Sequence, residues 1–413
     1  MIQLEDIIQA KKNFGDFIPT TPLEKSERLS KKYEAEIYLK REDLNTVRSY
    51  KIRGAFNLIN SLSEEEKKAG IVCASAGNHA QGVAITCKEL KIKGAIFMPL
   101  TTPEQKVYKT KQFGGEYVEI FLIGDTFDEA SKEARKYEKE RNAIFVHPFD
   151  DERIINGQAT IGLEIYEKFQ KENIDYIICP IGGGGLVSGI IEITKALGKN
   201  TKIIGVEPFG AASMKNSLSL GENTILEKID IFVDGASVKR VGDKGYEICK
   251  AYNLEVLTSH ENRVCSTILE YLREDGIVIE PAGALASDAL KDLKEIIKGK
   301  KVVVIVSGGN FDFERLPEVK ERSMKFEGKK RYFIISFPQR PGALKEFLGC
   351  LGTDDDIARF EYMKKSNKER APVLIGIETE KKENFETIEN KMKELGFKYE
   401  DITNNEIYFD LLI

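Results

Sequence analysis

The chain has 413 residues, of which 41% are hydrophobic and 31% are charged, and its formal net charge is −5. These proportions are typical of a globular protein, and the length predicts two or three domains rather than one core. The chain has no stripe of Lys and Arg and no apolar run near the roughly 20 residues of a membrane span. We therefore expect neither nucleic acid nor a membrane among its partners.

The cysteines and histidines are too scattered to predict a disulfide framework or a metal site. None of the six cysteines forms a Cys-x-x-Cys pair, which is typical of reduced thiols in a cytosolic protein. The three histidines have no metal-ligand spacing with one another or with a cysteine, so we predict no structural zinc and assign no metal ligands. The first residues are acidic and lack the apolar segment of a secretory signal, so the expected location is the cytoplasm.

Helices and strands alternate along the first 310 residues. An amphipathic helix is predicted within residues 1–18, a half-buried strand at 35–40 and a helix at about 50–62. Short apolar runs predict the later strands, at residues 71–74, 94–99, 116–120, 143–146, 176–179, 202–206, 254–257 and 301–306. Helical stretches separate several of them, at about 103–112, 125–140, 154–172 and 186–197. This alternation is typical of parallel α/β sheets, here in two lobes with a site at the carboxyl ends of the strands.

The composition changes after Asn310. Residues 311–330 are strongly charged, and we predict that they form a linker. The remaining elements follow the order βαββαβ, at residues 331–337, 342–351, 357–363, 372–378, 383–395 and about 406–412. Because this order is the ferredoxin-like pattern, we predict a separate α+β domain at 331–413 after a two-lobed domain at 1–310, whose smaller lobe covers about 50–155.

Lys51 is the first candidate for chemistry. It lies in the stretch Ser-Tyr-Lys-Ile-Arg-Gly-Ala-Phe, residues 49–56, at the predicted start of a helix. A lysine amine can form an imine with a carbonyl, and such chemistry usually involves pyridoxal phosphate. A single lysine is more often a solvated surface charge, and the charged run at residues 40–44 is read equally well as a solvated turn. Three later stretches favour the chemical interpretation.

The first of these stretches is Ser-Ala-Gly-Asn-His-Ala-Gln-Gly, residues 75–82. Asn78 supplies a side-chain amide that can donate to a ring hydroxyl oxygen. The amides of Ser75, Gly77 and His79 lie at a predicted helix N-terminus, which attracts anions such as a carboxylate. Ser and Asn are also common helix caps, so a purely structural role stays open for this segment alone.

Four consecutive glycines form the second stretch, between a predicted strand and a helix that begins near Leu186. Free backbone amides of Gly182, Gly183, Gly184 and Gly185 can cradle a phosphate at the helix N-terminus. No Gly-Lys-Ser/Thr follows, and the third glycine of a dinucleotide fingerprint is absent. A flexible turn is the structural alternative.

Ser307 ends a valine-rich strand and begins the third stretch, Ser-Gly-Gly-Asn at residues 307–310. We expect its hydroxyl to point into the cleft. Opposite a pyridine nitrogen, a neutral hydroxyl leaves the ring largely unprotonated, whereas a carboxylate would make it a stronger electron sink. This favours β-elimination over transamination. The alternative role is a cap before the turn at Gly308 and Gly309.

These four stretches, in this order, resemble the fold-type II pyridoxal-phosphate enzymes, and the threonine dehydratases among them most closely. The resemblance covers essentially the whole chain and implies pyridoxal 5'-phosphate as cofactor, with Lys51 as its imine partner and catalytic base. It also implies that a loop at Gly235 and the carboxylate of Glu280 lie near the cofactor, although Glu280 is equally suited to a helix start.

The implied reaction is deamination of L-threonine to 2-oxobutanoate and ammonia, with L-serine as a possible second substrate. Serine dehydratases and racemases are the nearest alternative. In the racemases a Ser stands two residues before the motif Asn, whereas Ala76 here has no proton to return, which argues for elimination. A third alternative is an amino-acid sensor without catalysis, against which the intact Lys51 and Ser307 argue.

The tail resembles the ACT-like regulatory domain of biosynthetic threonine dehydratases. Residues 337–344, Phe-Pro-Gln-Arg-Pro-Gly-Ala-Leu, match the turn into the first helix of that family. The resemblance implies regulation by isoleucine, with valine as a second effector, and assembly into a homodimer or homotetramer. An oligomerisation or folding appendage is the alternative role of the tail.

Overall fold

The computed structural model describes residues 3–170, 172–362, 369–405 and 407–408. Residues 1–311 and 312–413 form two compact units, which are described separately. No helix within the described stretches is long and apolar enough to cross a membrane.

Two sheets form the framework of the first unit. Its strands are β1 (Leu23–Lys25), β2 (Glu36–Arg41), β3 (Ile71–Ala74), β4 (Gly94–Met98), β5 (Val118–Leu122), β6 (Ile144–Phe145), β7 (Tyr176–Pro180), β8 (Lys202–Pro208), β9 (Glu255–Ser259) and β10 (Lys301–Val306). The larger sheet has the order β1-β2-β10-β7-β8-β9, and the smaller has the order β5-β4-β3-β6. All pairings are parallel except that of β1 with β2. The predicted α/β class is therefore confirmed.

Helices connect the strands. They are α1 (Leu4–Phe14), α2 (Glu27–Tyr33), α3 (Lys51–Asn60), α4 (Glu64–Ala69), α5 (Asn78–Leu90), α6 (Glu104–Gly114), α7 (Phe127–Arg141), α8 (Glu152–Lys168), α9 (Gly185–Ala196), α10 (Ser213–Leu220), α11 (Asp243–Tyr252), α12 (Glu261–Glu270), α13 (Pro281–Asp288) and α14 (Leu290–Ile297). Every residue of β3 and β4 is buried, as are the last five of β10. Strands covered on both faces read as unbroken apolar runs, which is why the sequence located them.

The position of β2 brings the site together. This strand precedes the smaller lobe in the sequence, yet it lies in the larger sheet and pairs with β10, from Lys301 beside Glu36 to Val306 beside Arg41. The carboxyl ends of two parallel neighbours lie at the same edge of a sheet. The chain leaving β2 toward α3 therefore lies next to the chain leaving β10.

The second unit has an antiparallel sheet. Its elements are α15 (Leu316–Phe326), β11 (Lys330–Pro338), α16 (Ala343–Leu348), β12 (Asp355–Tyr362), β13 (Arg370–Thr379), α17 (Asn384–Glu394) and β14 (Lys398–Asp401). The strand order is β12-β13-β11-β14. Phe333, Phe347 and Phe385 are fully buried in the core between the sheet and its two helices, α16 and α17. From β11 onward the order is βαββαβ, which confirms the ferredoxin-like prediction.

Two details of the tail differ from the sequence analysis. Residues 311–330, predicted to be a linker, contain helix α15, and all of them except Phe311 belong to the second compact unit. The last strand was predicted at about 406–412, but the closing strand is β14, and it pairs with β11. Of the predicted stretch, only residues 407–408 lie within the described residues, and they are helical.

Candidate active site

Lys51 is the first residue of α3, and its amine is held between the two lobes. Its Nζ donates a hydrogen bond of 2.9 Å to the carbonyl oxygen of Pro148. The amide of Tyr50 donates to the carbonyl of Ser307, so the start of α3 is tied to the end of β10. Burial lowers the pKa of Lys51 to about 8, although the Glu280 carboxylate opposes this shift. The environment gives this amine a much larger neutral fraction than a surface lysine has at the same pH.

The four glycines lie between β7 and α9, as predicted. Gly184 caps the helix with a φ of +95°, a conformation that glycine adopts without strain. A Cβ on Gly183 would lie 2.2 Å from the ring of Phe149, and one on Gly185 would lie 2.8 Å from the Phe149 carbonyl oxygen. Only glycines allow Phe149 to pack this closely against the loop.

The amides of the loop are available to a ligand. Among the described residues, no backbone carbonyl accepts a hydrogen bond from the amide of Gly182, Gly183 or Gly184. The first amides of α9, including that of Leu186, have no acceptor within their own helix. Helix α9 has twelve residues, and the positive end of its dipole lies at this loop. Such an arrangement binds an anion.

Asn78 and Glu280 meet at the starts of two helices, α5 and α13. Asn78 Nδ2 donates to Glu280 Oε1 over 2.6 Å. Burial raises the pKa of Glu280 to about 7, and the nearby Asp234 carboxylate adds to this, while the Asn78 hydrogen bond opposes it. A Cβ on Gly308 would lie 2.2 Å from Glu280 Oε1, and one on Gly235 would lie 3.0 Å from the Ala282 side chain. The predicted Gly235 loop and Glu280 are therefore neighbours.

Ser307 is 3% exposed and follows directly after β10. Its hydroxyl makes one long hydrogen bond, 3.4 Å, to the carbonyl oxygen of Ala282. The hydroxyl of Ser49 is also buried, and it has no partner among the described residues. An isolated bridge joins Ser49 to Gly308, so these two hydroxyl-bearing segments are adjacent. Buried hydroxyls that are weakly bonded can serve a bound ligand.

Ser75, Gly77 and His79 lie at the N-terminus of α5. The Ser75 hydroxyl accepts from the Gly77 amide over 3.2 Å. His79 Nε2 lies 2.9 Å from the carbonyl oxygen of Val146. Burial, with the charge of Lys51 as a smaller cause, lowers the pKa of His79 to about 3. The imidazole is therefore neutral and bonded to the backbone, which leaves the His79 amide as its contribution to a carboxylate site.

A buried ion cluster lies two residues beyond Lys51. Arg53 is fully buried, and its guanidinium donates to Glu42 over 2.8 and 2.9 Å and to Glu164 over 2.8 and 3.0 Å. Lys40 Nζ donates to Glu164 over 2.6 Å. Lys40, Glu42 and Asp43 are each fully buried, so the run at 40–44 is not the solvated turn that the sequence also allowed.

The structure adds three residues that the sequence analysis did not assign to the site. They are Pro148, Phe149 and Asn310. Asn310 lies within the quoted stretch 307–310, which was the available signal for it. No local pattern marks Pro148 or Phe149 in the sequence. Pro148 contacts Lys51, which is 97 residues away, and Phe149 contacts the glycine loop, which is about 35 residues away.

The donor set fits pyridoxal phosphate. The unbonded amides of the glycine loop suit its phosphate, and a Lys51 amine of lowered pKa suits its carbonyl carbon. The Asn78 amide is a donor for a ring oxygen, and the neutral hydroxyl of Ser307 suits a ring nitrogen. No group of three or more metal-ligating side chains occurs among the described residues.

The family model described as "Pyridoxal-phosphate dependent enzyme" matches residues 15–308. A second, described as "C-terminal regulatory domain of Threonine dehydratase", matches residues 321–412. The sequence is 52% identical to the biosynthetic L-threonine dehydratase IlvA of Halalkalibacterium halodurans, over 100% of this chain and 99% of that one. It is 47% identical to the protein of the same name from Bacillus subtilis, over 100% and 98%.

Solved structures give the same picture for the first unit. The processed form of threonine deaminase isoform 2 from Solanum lycopersicum superposes with a TM-score of 0.72 and 37% identity, covering 78% of this chain and 94% of that one. Maize serine racemase superposes with a TM-score of 0.71 and 27% identity, covering 78% and 98%. The fold is therefore shared by lyases and racemases, and residues must distinguish between them.

Proposed function

Because this chain belongs to the pyridoxal-phosphate dependent enzyme family, as a threonine dehydratase with a C-terminal regulatory domain, we propose that it converts L-threonine to 2-oxobutanoate and ammonia. One observation carries the proposal. The partly buried Lys51 amine, with a pKa of about 8, lies 6.0 Å from the centre of the Phe149 ring, which packs against the glycine loop, and the charge of Glu280, the partner of Asn78, acts on its pKa. A sensor without catalysis has no need for a lysine in this state.

The residues have separate tasks. When bound, pyridoxal phosphate supplies an electron sink for negative charge at the substrate Cα. The amides of Gly182, Gly183 and Gly184 would hold its phosphate, and the neutral hydroxyl of Ser307 would be the partner of its ring nitrogen. Asn78 Nδ2 would be the donor to a ring oxygen. A neutral partner at the nitrogen keeps the charge close to Cα, which favours loss of a β-leaving group.

Lys51 Nζ moves the proton. Lys51 would hold the cofactor through its carbonyl carbon, and its free, neutral amine would remove the proton from the substrate Cα. Its lowered pKa leaves a large fraction of the amine neutral near pH 8. The amides of Ser75, Gly77 and His79 hold the substrate carboxylate at the N-terminus of α5.

The test is turnover by the purified protein. L-threonine is added and 2-oxobutanoate is followed, with L-serine as a second substrate and D-serine formation as the racemase readout. We expect a yellow protein that makes 2-oxobutanoate, and a Lys51→Ala variant that has lost both the imine absorbance and the activity. Lys88→Ala, an exposed position on α5, is the matched control. An active Lys51→Ala variant, or D-serine as the main product, would overturn the proposal.

We also propose that L-isoleucine, and L-valine as a second effector, bind the second unit. The match of residues 321–412 to a regulatory domain supports this. Allostery requires a second site whose occupation changes the first. The expected result is a slower reaction and a raised melting temperature with isoleucine. If isoleucine changes neither, the regulatory assignment is wrong while the lyase assignment stands.

We propose further that the protein is a homodimer or homotetramer. Phe209 and Ile231 support this, since they are 65% and 73% exposed and lie on neighbouring segments joined by the hydrogen bond from the Asp230 amide to the Gly210 carbonyl. Large exposed apolar side chains on adjacent segments are typical of association surfaces. Light scattering coupled to size exclusion will give the mass, and a monomer at micromolar concentration would refute the proposal.

A further inference from the structure

We infer that Asn310 is a positioning residue that fixes which way the side-chain amide of Asn78 faces. The inference deepens the proposed function and rests on it. Asn310 closes the stretch that begins with Ser307, and it lies beside α5 rather than on it. Its side chain contacts three acceptors, which belong to Val47, Asn78 and Gln81.

A backbone carbonyl determines the direction of these hydrogen bonds. A side-chain amide can turn by 180° and exchange its donor and acceptor ends, whereas a backbone carbonyl can only accept. Asn310 Nδ2 lies 2.8 Å from the carbonyl oxygen of Val47. The donor end of the Asn310 amide must therefore point toward Val47.

The same donor determines the orientation of the Asn78 side-chain amide. Asn310 Nδ2 lies 2.7 Å from Asn78 Oδ1 and 3.1 Å from Gln81 Oε1. Because Asn78 presents its oxygen to Asn310, its Nδ2 lies on the other side, where it donates to Glu280 over 2.6 Å. A turned Asn78 would place two NH₂ groups against each other and its oxygen against a carboxylate, and both contacts are unfavourable.

Asn310 also acts on the far partner of Asn78. Its backbone amide works to lower the pKa of Glu280, against the effect of burial, so one residue influences both members of the Asn78–Glu280 pair. The result is a network in which the Asn310 NH₂ group donates to the Val47 carbonyl and to Asn78 Oδ1, and the Asn78 NH₂ group donates to Glu280. This keeps an NH₂ donor, not an oxygen, available to an acceptor bound beside Glu280.

The first variant separates polarity from packing. Asn310→Asp keeps the shape of the side chain but replaces its donor by an oxygen, so Asn78 is expected to turn its NH₂ toward Asp and its oxygen toward Glu280. We expect kcat to fall at least tenfold while the KM for threonine changes less than threefold. The absorbance maximum of the bound cofactor should shift in the same direction as in Asn78→Ala. Asn310→Ala, which only frees the Asn78 amide, should be milder.

Asn57→Asp is the matched control. Asn57 is also largely buried and also donates to a backbone carbonyl, that of Arg153 over 2.7 Å, and among the described residues its side chain forms no hydrogen bond to a residue of the site. A carboxylate there should leave the absorbance maximum and kcat within twofold of the unchanged protein. A tenfold loss in Asn57→Asp would mean that any buried carboxylate disturbs the enzyme, and it would overturn the inference.

Combined variants decide whether Asn310 acts through Asn78. In an Asn78→Ala background, Asn310→Asp and Asn310→Ala should cost less than a further twofold in kcat. Losses in kcat that multiply in the double variants would overturn the positioning role. An Asn310→Asp enzyme with normal kcat beside an impaired Asn310→Ala enzyme would also overturn it. The cofactor dissociation constant and the absorbance maximum show whether Asn310 acts through Asn78 without requiring turnover. A protein that binds the cofactor but leaves threonine unchanged refutes the proposed function alone.

Discussion

The Lys51 amine differs chemically from the lysines on the surface, because burial disfavours its protonated form and lowers its pKa to about 8. The Glu280 carboxylate works in the other direction. The Pro148 carbonyl accepts a hydrogen bond from the amine but carries no net charge to hold its proton. An amine in this state is a nucleophile near neutral pH, which a surface lysine is not.

We predict that Lys51 of the cofactor-free protein reacts with a small amine-reactive reagent with a midpoint near pH 8. Only the neutral amine attacks, so reactivity rises with pH through the pKa. Lys298 is the internal control, since its ion pair with Glu34 raises its pKa above the usual 10.5. Mass spectrometry of labelled peptides across a pH series will give both profiles. Equal midpoints for the two lysines would contradict the prediction.

The glycine loop gives a second prediction at the residue scale. Gly183→Ala places a Cβ 2.2 Å from the ring of Phe149, so the ring or the loop must move and the amides lose their arrangement. We expect the dissociation constant for pyridoxal phosphate to rise at least tenfold, about 1.4 kcal/mol. Fluorescence titration of the cofactor-free protein will measure it.

Gly182→Ala is the graded comparison for Gly183→Ala. The nearest atom to its Cβ is the Ala236 Cα at 3.1 Å, which a small shift can relieve. We therefore expect a smaller rise in the dissociation constant. If Gly182→Ala is the more damaging of the two, the contact with Phe149 is not what requires glycine in this loop.

The sequence located most of the residues of the site but not their hydrogen bonds. Lys51, Asn78 and Ser307 each follow an apolar strand or begin a helix, which is a local signal. The bonds that orient Asn78 join it to Glu280 and Asn310, which are 202 and 232 positions away. Local patterns carry no information on such pairs, so the interpretation of Asn78 as a simple cap could not be excluded without the structure.

At the scale of elements, the prediction succeeded where strands are buried on both faces. β10 reads as Lys followed by five consecutive Val and Ile residues, and it is a central strand. β1 has three residues, two of them exposed, so no apolar run or alternation predicts it. The closing strand β14 is also largely exposed. The stretch after it is more apolar, and the last strand was therefore predicted there instead.

The buried ion cluster shows how elements are joined around Lys51. Arg53 on α3 bonds Glu42, which follows β2, and Glu164 on α8. Lys11 on α1 also pairs with Glu164, over 2.8 Å. Three helices and the end of a strand thus meet in one ion cluster, whose guanidinium lies two residues from the reactive lysine in the chain. The charges are paired and hydrogen-bonded, as burial requires.

We predict that Arg53→Met destabilises the protein by about 3–5 kcal/mol, because it removes the guanidinium that donates four hydrogen bonds to the buried carboxylates of Glu42 and Glu164. Denaturant unfolding of the cofactor-free proteins will measure the loss. Arg240→Met is the matched control, since its pair with Asp243 is exposed and worth about 1 kcal/mol or less. Similar losses for the two variants would show that the cluster contributes no more than a surface pair.

At the scale of the whole molecule, the chain combines two units with different chemistry. Residues 1–311 contain every candidate for catalysis, on parallel sheets whose strand ends converge. Residues 312–413 form an antiparallel sheet with its own buried core. The change in composition after Asn310 indicated this division, although helix α15 occupies most of the segment predicted to be a linker.

This division predicts that effector binding survives the loss of catalysis. Lys51→Ala removes an amine in the first unit, whereas residues 321–412 match the regulatory domain. We expect L-isoleucine to bind full-length Lys51→Ala with a dissociation constant within about threefold of the unchanged protein, because equilibrium binding to a separate site does not require turnover. Isothermal titration calorimetry measures this directly, with L-alanine as the control ligand. Loss of isoleucine binding in Lys51→Ala would place the effector in the active site and make its inhibition competitive.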